Sequence, residues 1–421
     1  MNSKLQWFAE GEPNIWLPYT KNFMQLPVKS ANGCYIFLEN GHLLLDGISS
    51  WWSVCHGYSH PYIVHKIQEQ VETLSHIMLS GFAHEQGYRL ASQLVKIAPV
   101  GLEKVFFSDS GSTAIEVAIK MAVQYFCNIG KCNKYKLISF YNGYHGDTMG
   151  CMSVSDPKVL HGSVLNKYYP NQYILKLPHT EEDMYDFTAQ LELLHNDVAA
   201  VIIEPILQAA GGMKIYSPVI LQQIYNITRE YDILFIADEV ATGFGRTGMM
   251  FACNHANITP DIMVVGKALT GGFCTLAATL TTQNIYDTFT LNTDTAFRHG
   301  PTFMANPLAC AAANASIDLF INQKIMENIK NIELQLTKEL KIFEKLHFVS
   351  SVRVIGAVGV IELNSGYINI INQDLTQKLL QLKIWIKPIG DVIYIMPPFI
   401  ITSKELTTLI ESINELLKTI D

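Results

Sequence analysis

Six apolar runs without alternation recur through the middle of the chain, at residues 105–108, 136–140, 199–203, 233–237, 261–265 and 276–280. A strand with one wet face alternates apolar and polar positions. A strand covered on both faces does not, so these runs predict an open, mainly parallel sheet with helices on each side. Helical periodicity falls between them, over 112–126 and 218–231. A helix-rich stretch over 306–343 leads the chain away from the sheet. The last hundred residues mix strands (352–363, 392–396) with helices and close on an amphipathic helix over 403–419. The expected organisation is a large domain over 49–322, a smaller α+β domain over 323–421, and a segment over 1–48 whose short strands (34–38, 43–46) pack with the small domain. No repeat of 20–50 residues and no low-complexity tract interrupts this pattern.

Composition narrows the function classes. The chain has 421 residues, 49% hydrophobic and 16% charged, enough to bury a large core without a disulfide or metal staple. Thirty Lys and Arg against 38 Asp and Glu give a net charge of -8, which argues against a general nucleic-acid binder. Eight scattered cysteines with no C-x-x-C pair are expected to be buried free thiols in a reducing compartment. The start, MNSKLQWFAEGEPN, lacks the basic and apolar regions of a signal peptide, and no apolar stretch reaches bilayer length, so a cytoplasmic protein is expected.

Ligands of open α/β sheets sit beyond the carboxyl ends of the strands, so the residues after each run carry the interest. Asp109-Ser110-Gly111-Ser112-Thr113 opens a helix after the first run. Glycine permits close backbone approach, and free N–H groups with the helix dipole attract phosphate. A plain serine cap with a turn glycine explains the same residues. Asp238-Glu239 follows the fourth run; a partly desolvated carboxylate there needs a cationic partner such as a protonated pyridine nitrogen, while a structural Asp paired with a backbone amide or with Arg246 explains the same residues. Gly266-Lys267 follows the fifth. Burial lowers a lysine's pKa and frees its amine to bond a carbonyl carbon, although a lysine snorkelling at a strand exit looks the same in sequence. Phosphate cradle, ring-nitrogen acid and nucleophilic lysine together are the grips that pyridoxal 5'-phosphate requires. No P-loop and no G-x-G-x-x-G occurs. His56, His60 and His65 match no zinc spacing and are assigned surface or capping roles.

The segments Phe107-Ser108-Asp109-Ser110-Gly111-Ser112, Asn142-Gly143-Tyr144-His145-Gly146, Ile203-Glu204-Pro205, Ala237-Asp238-Glu239 through Gly248, and Gly266-Lys267-Ala268-Leu269-Thr270-Gly271-Gly272 resemble class III aminotransferases. That resemblance implies a fold-type I pyridoxal-phosphate enzyme: a seven-stranded, mainly parallel sheet, a smaller domain from both termini, and a homodimer with active sites at the interface. Trp16 to Thr20, Asp46 to Trp52, His56-Gly57-Tyr58 and His299 to Cys310 are similar to the biotin-pathway branch of the class. Its substrates are 8-amino-7-oxononanoate and, as amino donor, S-adenosylmethionine. The resemblance gives Lys267 the covalent hold on the cofactor and the proton transfer, and Asp238 the ring nitrogen. It gives Gly111 and Ser112 the phosphate, with Pro301 and Thr302 reaching it from the other subunit. Tyr144 stacks on the ring. Tyr19, Trp51, Trp52, Arg246, Gly300, Lys387 and Tyr394 face the substrate. Lys387 stands where the branch usually carries arginine, which implies a looser hold on a carboxylate. The implied alternatives are another class III enzyme acting on an ω-amino acid, lysine as the donor, or a cofactor-holding protein without activity.

Overall fold

The computed structural model describes residues 5–16, 24–159 and 165–420. Its central sheet has seven strands: β1 (Leu102–Ser108), β2 (Lys136–Phe140), β3 (Tyr173–Leu175), β4 (Val198–Ile203), β5 (Leu234–Asp238), β6 (Ile262–Val265) and β7 (Ala277–Thr282), in spatial order β1-β7-β6-β5-β4-β2-β3. The expected mainly parallel sheet is what forms. β7 alone runs against its neighbours β6 and β1. Its reversal has a simple cause: only residues 266–276 join β6 to β7, too short a link for a parallel crossover.

The unalternating runs behave as sequence predicts. In β5, Phe235 and Ala237 enter the core on one face, while Leu234 and Ile236 enter the core on the other. Helix α1 (Gly111–Asn128) covers the second face with Ala114, Ile115 and Ala118; the helix Pro218–Glu230 covers the first with Leu221 and Ile224. Helix α2 (Pro307–Asn322) is buried nearly all round and packs on the helices Pro61–Thr73 and Glu85–Ile97.

Beyond α2 the chain builds an antiparallel sheet from Val349–Ile355, Val358–Leu363 and Val392–Ile395. The single strand expected over 352–363 is two strands, folded at Gly356, whose φ of +51° makes the turn cheap for glycine. A second small sheet joins the chain ends: Val28–Asn32, Tyr35–Leu38 and Leu43–Asp46 form a meander, and Ile384–Trp385 adds parallel to the last of them.

Two expectations need correction. Cys34, Cys55, Cys151, Cys253 and Cys310 are buried thiols, but Cys127 and Cys132 are exposed at the end of α1 and joined as a disulfide. His56 is not at the surface; it is 1% exposed, with Nε2 3.0 Å from Ser316 Oγ. No helix among the described residues is long and apolar enough to cross a membrane.

Candidate active site

The carboxyl ends of β1, β2, β4, β5 and β6 open onto one cavity of about 200 Å³, lined by Gly111, Ser112, Tyr144, His145, Glu204, Asp238 and Lys267 together with Trp52. Strand direction makes this convergence. The five strands are parallel, so the residue that follows each emerges at the same edge of the sheet.

At one end of the cavity stands the N-terminus of α1. Ser110 caps it, accepting the Thr113 N–H at 3.3 Å while Thr113 Oγ1 accepts the Ser110 N–H at 2.9 Å. This reciprocal box leaves the N–H groups of Gly111 and Ser112 without an intrahelical acceptor, on the positive end of the helix dipole. Glycine is required at 111, since a Cβ there would stand 2.8 Å from Val240 Cγ1. Sequence alone left capping and anion binding as rivals; the geometry satisfies both.

Asp238 lines the same cavity. Its Oδ1 accepts the Val240 N–H at 3.1 Å, and its Oδ2 lies 2.8 Å from His145 Nδ1, both side chains being buried. Arg246, the alternative partner, is elsewhere. His145 was missed as a functional residue, although its place in the loop after β2 was a usable signal.

Lys267 follows β6 in a left-handed conformation, φ +43°, which aims its chain away from the strand direction and into the cavity. Its Nζ lies 4.9 Å from the Trp52 ring centroid. Burial lowers the pKa of this amine, opposed by the carboxylates of Asp238, Glu204 and Asp147. Glu204 is held by two main-chain donors, the N–H of Tyr144 and of Ala209, each at 3.0 Å. Burial pushes its carboxyl from 4.5 up to about 7. The native state therefore keeps a proton that the unfolded chain has released, and this group's contribution to stability falls as pH rises from about 4.5 to about 7. Glu204→Gln should flatten that part of the profile, measured by urea unfolding of both proteins across that range.

Trp51 and Trp52 belong to a tight turn. Ser49, Ser50, Trp51 and Trp52 all have positive φ, from +47° to +75°. The N–H groups of Trp52 and Ser53 bond back to the carbonyls of Ile48 and Ser49 at 2.9 and 3.0 Å, closing a left-handed helical turn. Such a conformation costs L-residues roughly 1–2 kcal/mol each. The indoles diverge, and of the two only Trp52 lines the cavity. Trp52 is 6% exposed, lines the cavity and donates from Nε1 to the Tyr394 hydroxyl at 3.3 Å; Trp51 is 46% exposed, with Lys387 Nζ 4.5 Å from its ring centroid.

The remaining expected site residues lie elsewhere. Tyr394 touches the cavity only through Trp52 and sits in the packing around Ile48 and Met396. Lys387 is half-buried outside the cavity lining. Gly300 and Thr302 are exposed and Pro301 is half-buried, none of them lining this subunit's cavity. Arg246 is 1% exposed and spends its guanidinium on the carbonyls of Pro397 and Ala357 at 2.9 and 3.3 Å, stacked on Phe399. Hence it ties the loop after β5 to the segments around Ala357 and Pro397 instead of facing the cavity, because a desolvated cation takes the buried acceptors nearest to it. Tyr19 lies outside the described residues.

The cavity fits pyridoxal 5'-phosphate: its lining brings together main-chain amides at a helix N-terminus, a buried carboxylate and an amine beside the Trp52 ring. Comparison with known proteins agrees. The family model for class-III aminotransferases matches residues 18–417, and the chain belongs to that family. Within it, the chain falls among the adenosylmethionine-8-amino-7-oxononanoate aminotransferases. It is 42% identical to the one from Buchnera aphidicola subsp. Schizaphis graminum, over 96% of this chain and 95% of the relative, and 39% identical to that of Corynebacterium glutamicum, over 96% and 97%. The crystal structure of the enzyme of that name from Methanocaldococcus jannaschii superposes with a TM-score of 0.93 at 35% identity, covering 99% of both chains. An omega transaminase from Pseudomonas jessenii, solved in complex with PMP, superposes with a TM-score of 0.91 at 25% identity, covering 98% of this chain and 97% of that one.

Proposed function

We propose that this protein transfers the amine of S-adenosylmethionine to the 7-oxo group of 8-amino-7-oxononanoate, giving 7,8-diaminononanoate for biotin synthesis. One observation carries the reading: Lys267 and Asp238 line the same cavity as the open N-terminus of α1. Bound there, pyridoxal 5'-phosphate supplies a carbon that takes up an amine and a ring that withdraws electrons. The protein's residues do the rest. The Gly111 and Ser112 amides hold the phosphate. Asp238, steadied by the Val240 N–H and by His145, turns its carboxyl group toward the ring nitrogen. Lys267 anchors the group and moves the proton, its basicity reduced by burial so that the neutral amine is accessible. Tyr144 and Trp52 flank the cavity and exclude water. Both half-reactions share this one cavity, so the kinetics are ping-pong.

The same reading makes the protein a cytoplasmic homodimer in which residues 300–302 of each subunit reach the phosphate held by the other.

The test is to mix the loaded protein with one donor at a time and follow the cofactor's absorbance. S-adenosylmethionine should convert the spectrum, whereas lysine and ω-amino acids should leave it. Conversion by an ω-amino acid alone would assign the other branch of the class. Lys387, set over Trp51, is proposed to meet the carboxylate of the keto substrate. An ammonium offers a point charge where a guanidinium offers a planar pair of donors. Lys387→Arg should lower the KM for 8-amino-7-oxononanoate about threefold to tenfold and leave that for the donor unchanged. Steady-state kinetics with each substrate varied in turn decides this, and an unchanged keto-substrate KM would count against it.

A further inference from the structure

We propose that Asp46 is a positioning residue that sets both indole walls of the substrate site by clamping the left-handed turn Ser49–Trp52. The proposal rests on reading Lys267 as the cofactor's amine and Lys387 as the carboxylate's partner.

Asp46 ends the strand Leu43–Asp46 and is fully buried. Its carboxylate does not enter the cavity. It faces the turn instead: Oδ1 accepts the Ile48 N–H at 2.8 Å, and Oδ2 accepts the Ser50 N–H at 2.9 Å and the Tyr58 hydroxyl at 2.6 Å. On the other side the Ser49 hydroxyl donates to the Met396 carbonyl at 2.7 Å. A run of non-glycine residues in the left-handed region persists only where its surroundings over-determine it, and such strain gathers at functional sites. Here the consequence is geometric. The turn rotates successive side chains so that Trp52 faces Lys267 Nζ at 4.9 Å and Trp51 faces Lys387 Nζ at 4.5 Å. An ordinary right-handed or extended path would change both orientations together. One buried carboxylate therefore governs the aromatic contact of both functional amines, although it touches neither.

Asp46→Asn keeps the volume but turns an NH2 toward a main-chain N–H, so one clamp bond must be lost. The holoenzyme of this variant should keep its cofactor, which Gly111, Asp238 and Lys267 hold. Its KM for both substrates should rise about tenfold, with kcat changed by no more than about twofold. Adding Ser50→Gly should restore both KM values to within about threefold, because glycine enters the left-handed region without steric cost. Near-UV circular dichroism of the cofactor-free proteins reads the indoles directly: the signal should weaken in Asp46→Asn and return in the double variant. Should Asp46→Asn not fold, Ser50→Val strains the same turn with Asp46 intact and should give the same KM rise. Normal KM values in Asp46→Asn, or no recovery on adding Ser50→Gly, would overturn the proposal. A wild-type protein inactive on both substrates sinks the assigned reaction instead, and the dichroism still decides the clamp.

Discussion

Lys267→Ala should abolish transamination, a loss of ~10⁴-fold or more in kcat, because it removes the proposed covalent anchor and proton carrier at once. No second base can take over cleanly. Glu204, the other cavity-lining group with a shifted pKa, is bound through both oxygens to the N–H groups of Tyr144 and Ala209. His145 is committed to Asp238. The variant should still bind the cofactor through the amides at the start of α1, but dialysis should strip it readily. Borohydride treatment of the wild type should fix the cofactor to the peptide containing Lys267, read by mass spectrometry, and Lys267→Ala should yield no such adduct. Measurable steady turnover by the variant would refute the assignment.

Asp238→Asn carries the second-largest expected effect. A neutral amide has the right shape and can still accept the Val240 N–H, yet it cannot hold a proton on the ring nitrogen by charge. Removing one member of a buried charge pair costs about 3–5 kcal/mol, so a fall of roughly 10²–10⁴ in kcat/KM is expected. The loss should appear mainly in kcat, since the charge matters most as electrons move toward the ring. Cofactor absorbance should shift as well, giving a readout independent of turnover. Asp238→Glu should recover little, because Asp238 is hemmed in by His145 and Val240.

Much of this site was legible in the sequence, and the reason is topological. Lys267, Asp238 and Gly111 each follow an unalternating apolar run, and parallel strands deliver such residues to one edge. What was not legible depends on contacts with no short-range signature. Arg246 looked like a substrate contact because its glycine-rich neighbourhood resembles a family motif; only folding reveals that Ala357 and Pro397, more than a hundred positions away, absorb its donors. The left-handed turn at Ser49–Trp52 was hidden because serine and tryptophan have no preference for positive φ, and Asp46 imposes it. The short strands Tyr173–Leu175 and Ile384–Trp385 were missed for lack of length: two or three residues give no periodicity to read. Thr302 lies outside the cavity of its own chain, so a second subunit is needed to judge its role.

The pairing of Ile384–Trp385 with Leu43–Asp46 has a consequence for biosynthesis. Asp46 ends a strand whose parallel neighbour lies some 340 residues further along the chain. Loop closure over that span is slow, and the apolar face around Leu44 and Leu45 stays uncovered on the nascent polypeptide until it happens. The seven-stranded sheet can form as it leaves the ribosome, but the strand Leu43–Asp46 must wait for Ile384–Trp385. Premature stop codons upstream of residue 384 should therefore yield a product prone to aggregation, and a chaperone that shields the amino-terminal strands should raise the yield of full-length protein.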